Sequence, residues 1–193
     1  TFPDKRASFL GLSHEYFQPE LVTEEQVAAG DLDHYDALYV LETHVSRAAS
    51  ERILSWTKRG GLLWTCADSF LRDEYDAPKD FLAENFGLNR SFGDKPGKRF
   101  LLPSDDIASL MPAHRIEQAK PLGDLAWPGA EVLDKYEDGP SAWLEKDFHD
   151  GRVVYLGHRA GLDYTRKAIR LGGMRTIWPD YPRAFLTRPL HQR

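Results

Sequence analysis

The segment of residues 36–66 constrains the fold of this chain more than any other part of the sequence. It begins with an apolar run at residues 37–41, continues through a polar stretch that opens at Ser46, and ends in a second apolar run at residues 62–66. The pair Gly60-Gly61 separates the polar stretch from the second apolar run. This order of apolar runs, polar stretch and glycine turn predicts a strand, a helix and a second strand.

The polar stretch has the periodicity of an amphipathic helix. Ala49, Ile53 and Trp56 fall on one helical face. Ser46 is suited to cap the start of this helix because its hydroxyl can accept a hydrogen bond from a backbone N–H of the first turn. Gly60 is suited to end the helix because glycine adopts the left-handed conformation readily. The segment is therefore predicted to form a βαβ unit with a right-handed crossover.

Three apolar runs, at residues 37–41, 62–64 and 153–156, show no alternation of apolar and polar residues. A strand that is covered by helices on both faces has no solvent-exposed side, so it is apolar along its whole length. The sequence therefore predicts an α/β fold with a doubly wound, mostly parallel sheet. The three runs are expected to be parallel neighbours in that sheet.

A β-hairpin is predicted at residues 130–147, inserted before the third apolar run. Its strands are residues 131–136 and 141–146, and the pair Asp138-Gly139 supplies the turn. Three shorter elements complete the prediction. They are a strand at 20–23, a strand at 99–103 and a short helix at 108–118.

The chain opens in a helix-like segment, with Phe9, Leu12 and Tyr16 on one face. Doubly wound domains normally open with a buried strand, and no such run precedes this segment. We therefore expect a piece cut from a longer polypeptide, whose first strand is lost or supplied elsewhere. Residues 1–170 are predicted to form the α/β domain, and residues 171–193 an aromatic, proline-rich strap or linker.

Composition excludes several classes of function. The net charge is −5 and no basic face is evident, which argues against a nucleic-acid partner. No apolar stretch approaches the length of about 18–20 residues that a membrane span needs, so no membrane partner is expected. A single cysteine, Cys66, permits neither an internal disulfide nor a paired-cysteine metal site, and it is compatible with a reducing compartment such as the cytoplasm.

Three stretches of the sequence resemble a known family. They read GDLDHYDALYVLETHVS at residues 30–46, ILSWTKRGGLLWTCADSFLRDEYDAPKDFLAENFGL at 53–88, and GAEVLDKYEDGPSAWLEKDFHDGRVVYLGHRAGLDY at 129–164. Their most specific parts are the strand–helix–Gly-Gly–strand, the pair Asp73-Glu74 and the late GRVVYLG. Together they resemble the class I glutamine-amidotransferase-like, flavodoxin-like domain of multidomain glycoside hydrolases, and in particular the trimerisation domain of family 42 β-galactosidases.

The resemblance implies a non-catalytic role for this chain. In that family the catalytic carboxylates lie in a preceding (β/α)8 barrel, and this domain packs beside the barrel and helps to assemble the oligomer. The expected partners are therefore a barrel-type catalytic domain of the same polypeptide and further copies of the chain. No cofactor and no metal are expected.

A cysteine-dependent, amidotransferase-like hydrolase is the main alternative. Cys66 follows a strand and His158 follows a late strand, which are the places of the nucleophile and its base in such enzymes, and Asp163 is the nearby candidate for the third member. Three departures favour Cys66 as a structural filler. Residues 67–69 lack the glycine of a strained elbow, and Asp68 would raise the pKa of the thiol. Arg159-Ala160 follow His158 in place of the Pro-Glu that supplies the third member in such enzymes, and residues 42–45 lack the glycines of an oxyanion loop.

A small-molecule or sugar-binding module is the remaining alternative, because parallel sheets bind ligands at the carboxyl ends of their strands. The candidate cleft there comprises Glu42, His44, Asp68, Ser69, His158 and Arg159.

A metal site is not predicted, because the carboxylates and imidazoles lack metal-ligand spacing. The pair Asp73-Glu74 is expected to order its loop. The last candidate is an aromatic group, either a sugar-stacking platform or an interdomain strap, formed by Trp178, Tyr181 and Phe185.

Overall fold

The computed structural model describes residues 2–92, 98–102, 114–117, 122–137, 139–166, 168–171 and 176–191. The helices are α1 (Phe2–Ser13), α2 (Glu24–Ala29), α3 (Arg47–Lys58), α4 (Phe81–Phe86), α5 (Ala160–Arg166) and α6 (Asp180–His191), with a 3₁₀ turn at Asp31–His34. The strands are β1 (Ala37–Val40), β2 (Leu62–Cys66), β3 (Asn89–Phe92), β4 (Lys98–Leu102), β5 (His114–Glu117), β6 (Leu122–Ala126), β7 (Glu131–Tyr136), β8 (Ser141–Phe148), β9 (Gly151–Leu156), β10 (Ile169–Arg170) and β11 (Thr176–Ile177).

Seven strands form one mixed sheet in the order β1-β2-β9-β8-β7-β4-β5. β1, β2 and β9 are parallel neighbours, with Leu62 opposite both Ala37 and Arg152. β8 runs antiparallel to β9 and to β7, which gives the hairpin. The predicted α/β sheet with a parallel core and an inserted hairpin is thus confirmed, and the antiparallel part extends further through β4 and β5.

The sheet is covered on both faces, which explains the continuous apolar runs. Alternate residues of β2 enter opposite cores: Leu63 packs with Val153 and Ile53, and Trp64 packs with Val154 and other residues of the second core. The first core is closed by residues of α2, α3 and α4, and the second by residues of α1, α5 and α6. All five residues of β2 are buried.

The βαβ connection forms as its local sequence predicts. Ser46 Oγ accepts a hydrogen bond from the N–H of Ala49 at 3.3 Å, and Gly60 adopts φ 114° just after α3. Gly61 lies under the ring of Trp56, where any added Cβ would overlap the indole. The glycine pair thus serves two purposes, a left-handed turn and a close approach of chain to helix.

Two predicted elements differ from the structure. Residues 20–23 form no strand, because Thr23 is the N-cap of α2 and shares a capping box with Gln26. Within the region predicted as a helix at 108–118, residues 114–117 form β5, which pairs with β4; residues 108–113 and 118 lie outside the described residues. Pairing to a neighbouring strand outweighed the local helical pattern there.

The C-terminal helix α6 packs against the parallel strands. Phe185 and Leu186 are buried, and Trp64 Nε1 donates to the Phe185 carbonyl at 3.1 Å. Tyr39 Oη donates to the carbonyl of Leu186. Much of the segment predicted as a strap therefore lies on the same sheet as the rest of the chain. None of the helices in the described ranges has the length and apolar character that crossing a membrane requires.

Candidate functional site

The candidate site lies where β1, β2 and β9 end, because the three parallel strands bring their carboxyl ends to one edge. The loop after β2 is anchored to β9 through the Ala67 N–H, which donates to the Leu156 carbonyl at 2.6 Å. It is anchored to β1 through Ser69 Oγ, which donates to the Val40 carbonyl at 2.8 Å. Parallel sheets bind ligands at this edge, so the side chains that lie there determine which ligands the chain can bind and which reactions it can catalyse.

An ion-pair network occupies the space above these strand ends. Arg159 Nη2 contacts Asp68 Oδ1, and Arg159 Nη1 lies 3.4 Å from Asp4 Oδ2. Asp68 Oδ2 also accepts from Thr43 Oγ1 at 3.1 Å, and Asp4 Oδ1 accepts from the Leu162 N–H at 2.9 Å. Asp4 is 1% exposed. Burial raises the pKa of Asp4, while the Arg159 charge and the Leu162 N–H oppose that rise.

The first turn of α1 supplies part of this network, and it brings α1 down onto the strand ends. Lys5 forms an ion pair with Glu42, which lies two residues after the end of β1. An added Cβ at Gly161 on α5 would overlap the Asp4 carbonyl and Ser8, so α1 and α5 are in close contact. The sequence predicted Glu42, Asp68 and Arg159 to converge here, and the structure brings them together with Asp4 and Lys5, which the sequence did not single out.

Cys66 is the last residue of β2, and its side chain is 0% exposed. Its Sγ lies 3.9 Å from Ser69 Oγ, and its neighbours belong to the second core. Burial, reinforced by the negative charge of Asp4, raises the pKa of the thiol far above its ordinary value. A thiol in this environment is protonated at neutral pH, whereas a nucleophilic cysteine acts as the thiolate.

His158 is buried just after β9, where it contacts Tyr136 and Phe185. Its Nδ1 lies 3.4 Å from Tyr136 Oη, and its ring meets the Phe185 ring edge-on with centroids 5.1 Å apart. Asp163 is buried within α5, where its N–H donates to the Arg159 carbonyl. Cys66 and His158 thus lie in different surroundings, Cys66 beside Ser69 and His158 beside Tyr136 and Phe185.

Arg90 braces the loop after β2, and sequence reasoning missed it. Its side chain is fully buried and pairs with Asp80 at 3.1 Å. It donates to the Ala67 carbonyl at 2.8 Å and to the Ser69 carbonyl. Tyr155 Oη donates to the same Ala67 carbonyl at 2.9 Å. The backbone of Ala67, with φ 32°, is thus held by buried groups, and no sequence signal beyond a lone arginine near an aspartate marks this role.

Asp73 orders the neighbouring loop. Its carboxylate accepts from the N–H groups of Tyr75 and Ala77 and from Arg47 Nη2 at 2.7 Å. The hydrogen bond from Arg47 holds the pKa of Asp73 below its usual value. Glu74 accepts from the backbone N–H of Arg47 at the start of α3.

The remaining candidates separate from the strand-end site. His44 Nε2 lies 2.7 Å from Asp76 Oδ1 on the exposed side of the Asp73 loop. Among the residues that the structure describes, no group of three His, Cys, Asp or Glu side chains is arranged to hold a metal ion. Trp178 stacks on Tyr164 with centroids 5.1 Å apart, and Phe185 lies in the core. The side chain of Tyr181 lies outside the described residues.

The fold is found in glycoside hydrolases. A β-galactosidase from a Rahnella species matches with a TM-score of 0.71 and 17% identity over 98% of this chain and 26% of that chain. A family 42 β-galactosidase from G. stearothermophilus matches with a TM-score of 0.69 and 16% identity over 96% of this chain and 25% of that chain. This chain therefore spans about a quarter of the length of these enzymes.

The same fold also occurs outside large enzymes. A cytoplasmic protein from Salmonella typhimurium matches with a TM-score of 0.62 and 14% identity over 96% of this chain and 85% of that chain. No protein-family model and no curated protein matches the sequence. The likeness is thus one of fold, and the predicted structural resemblance to the domain that makes up about a quarter of family 42 β-galactosidases is confirmed.

Proposed function

We propose that this chain is a non-catalytic accessory domain of a multidomain glycoside hydrolase, packed beside a larger catalytic domain and contributing to its oligomer. The observation that carries the proposal is the coverage of the match. Nearly the whole of this chain aligns with only a quarter of each β-galactosidase. A domain that makes up a quarter of an enzyme leaves most of the chain for a catalytic domain. Because this chain has the same fold, we infer that it occupies the same position beside such a domain.

The strand-end chemistry supports a non-catalytic role. Arg159 forms ion pairs with both Asp4 and Asp68 at the edge where a substrate of an α/β enzyme would bind. Cys66 is buried as a neutral thiol. A chain arranged in this way has its polar groups committed to holding α1 on the sheet.

The surface supports packing against other domains or copies. Several large apolar side chains are exposed, and burying them against a partner would be favourable. The most exposed are Tyr16 at 94%, Tyr75 at 80%, Leu21 at 76% and Phe2 at 72%.

The test compares the complete gene product with this chain alone, using aryl β-galactosides as substrates. We expect hydrolysis by the complete product and none by residues 1–193. Light scattering is expected to give the complete product a mass that is a multiple of its chain mass. A complete product without hydrolase activity, or one in which residues 1–193 alone account for the activity, would refute the proposal.

A further inference from the structure

A small antiparallel sheet of two strands is separate from the main sheet and lies between α5 and α6 in the chain. It is formed by β10 and β11, with Ile169 opposite Ile177 and Arg170 opposite Thr176. Directly opposed residues of an antiparallel pair project from the same face of a sheet, and successive residues project from opposite faces. Ile169 and Ile177 therefore share one face, and Arg170 and Thr176 share the other.

The face that carries the two isoleucines is exposed. The exposed fraction is 59% for Ile169 and 53% for Ile177. Leu171 lies two residues after Ile169, so the alternation places it on the same face, and it is 44% exposed. These three side chains form the β10–β11 face. Adjoining apolar side chains that are exposed together mark a surface on which another molecule or domain packs.

Trp178 anchors the small sheet to the rest of the chain. It directly follows Ile177, and its ring stacks on the ring of Tyr164, which is 0% exposed, with centroids 5.1 Å apart. The His14 ring meets Trp178 edge-on with centroids 4.9 Å apart, and His14 Nδ1 is hydrogen-bonded to Tyr164 Oη. The small sheet is thus attached to α5 and to the end of α1, while the β10–β11 face stays exposed.

The small sheet needs support on both of its sides. Two residue pairs form too short a ladder to be stable in water without further packing. Trp178 supplies packing from within the chain, and Phe185, a second aromatic residue that the sequence suggested for an interdomain strap, is buried in the core. A partner that covers the β10–β11 face would supply packing on the exposed side.

The charged residues next to the β10–β11 face are basic. Arg166 ends α5 just ahead of β10, Arg170 lies in β10, and both residues are exposed. This local charge is opposite in sign to the net charge of the chain, which is −5. A partner surface with an apolar centre and carboxylates at its rim would complement both the apolar and the basic residues.

The size of the β10–β11 face favours a domain of the same polypeptide over a separate protein. Three aliphatic side chains that are each about half exposed offer roughly 100–200 Å² of apolar surface for burial. Separate proteins in a stable complex each bury about 800 Å². A linked domain can pack through a smaller area, because the linkage gives it a high effective concentration.

We propose that the β10–β11 face is where this chain packs on the larger catalytic domain of its polypeptide, against an apolar surface that carries carboxylates opposite Arg166 and Arg170. The inference rests on the proposed accessory role and assigns that role a contact surface. It also replaces the aromatic strap with an aliphatic one, since Ile169, Leu171 and Ile177 are exposed where Trp178 packs inward.

The test measures the rate of maleimide labelling at introduced thiols, in the complete gene product and in the 193-residue chain. Ile177→Cys places a thiol on the β10–β11 face. Val132→Cys is the matched control, because Val132 is 41% exposed and pairs with Leu144 on the face of the main sheet away from α1 and α5. Peptide mass spectrometry gives the rate at each position, and the natural Cys66 is buried.

Labelling at position 177 is expected to be about tenfold or more slower in the complete product than in the 193-residue chain, with similar rates at position 132 in both. Equal rates at position 177 in the two proteins, or the same slowing at positions 177 and 132, would overturn the proposal. Slow labelling that is lost when an oligomer dissociates to the monomer would assign the face to a second copy and would also overturn it.

Charge reversal tests the chemistry of the partner surface. Changing both Arg166→Glu and Arg170→Glu in the complete product should speed labelling at position 177, because carboxylates on the partner would then be repelled. An unchanged rate would contradict an acidic rim on the partner. These rates do not depend on galactoside hydrolysis, so a failure of the proposed accessory role and a failure of this contact are observed separately.

Discussion

At the scale of single residues, Cys66 and His158 illustrate what a sequence position can and cannot establish. Cys66 is the last residue of β2 and His158 comes shortly after β9, so both lie at the carboxyl edge of the sheet, where the sequence placed them. Position along the chain does not give the direction of a side chain. Cys66 points into the second core, and His158 meets Tyr136 and Phe185. The role of Cys66 as a structural filler stays a prediction that chemistry can test.

Cys66 should react slowly with iodoacetamide at neutral pH, because its thiol is buried and its pKa is raised. Replacing it with alanine should lower the free energy of unfolding by at most about 2 kcal/mol, since the lost volume is small. The labelling rate in the native state and in denaturant gives the control. Rapid native-state labelling, with an apparent pKa below that of a free thiol, would restore the nucleophile hypothesis.

Arg159 should be the most sensitive charged residue of the site. Its replacement by alanine leaves the buried Asp4 and the partly buried Asp68 without their cation, which should destabilise the fold by about 3–5 kcal/mol. Arg59→Ala is the matched control, because Arg59 and Asp33 form an exposed pair whose loss should cost less than about 1 kcal/mol. Denaturant unfolding measures both. Equal losses would show that the Arg159 network contributes little.

Asp73 should make the stability pH-dependent. Hydrogen bonds from Arg47 lower its pKa in the folded state, so its contribution is present above the unfolded pKa of about 3.9 and is lost as pH falls through the lower folded value. Asp73→Asn should therefore be less stable than the parent chain at pH 7. The difference should shrink as the pH falls below about 4. A difference that stays constant with pH would contradict this assignment.

At the scale of elements, the sequence predicted the strands that are buried on both faces of the sheet. It did not predict a strand whose formation depends on pairing with its neighbour. The runs that became β1, β2 and β9 lack a polar face, so only a covered parallel arrangement suits them. Residues 114–117 have no such signature, and their strand exists because β4 lies beside them. Arg90 was missed for the same reason, since its partners Asp80 and Ala67 are brought to it by the fold.

The close packing of α3 against β9 can be tested by replacing glycine residues with alanine. An added Cβ at Gly151 would overlap the backbone carbonyls of Thr57 and Gly61, so Gly151→Ala should destabilise the fold by about 1–3 kcal/mol or more. Gly87 offers the comparison, because an added Cβ there meets nothing within 4 Å and only its φ of +73° is unfavourable. Gly87→Ala should cost about 1 kcal/mol. A milder effect at Gly151 than at Gly87 would contradict the close packing of α3 on β9.

At the scale of the whole molecule, the start of α1 packs on the carboxyl ends of the parallel strands. The outer edge of the sheet, at β1, borders an apolar groove. The sequence predicted the sheet and its resemblance to a β-galactosidase domain. It could not predict that Asp4 and Lys5 reach the strand ends, because that contact joins residues far apart in the chain. The division between residues 1–170 and 171–193 stays a prediction, although α6 packs on the sheet.

The most direct test of the central claim is the turnover of an aryl β-galactoside by the complete gene product with and without Cys66→Ala. A non-catalytic accessory domain predicts that hydrolysis is present and that kcat/KM is the same in both proteins, since Cys66 is buried in the second core as a protonated thiol. Loss of turnover in the Cys66→Ala protein would contradict the account and assign the chemistry to this domain.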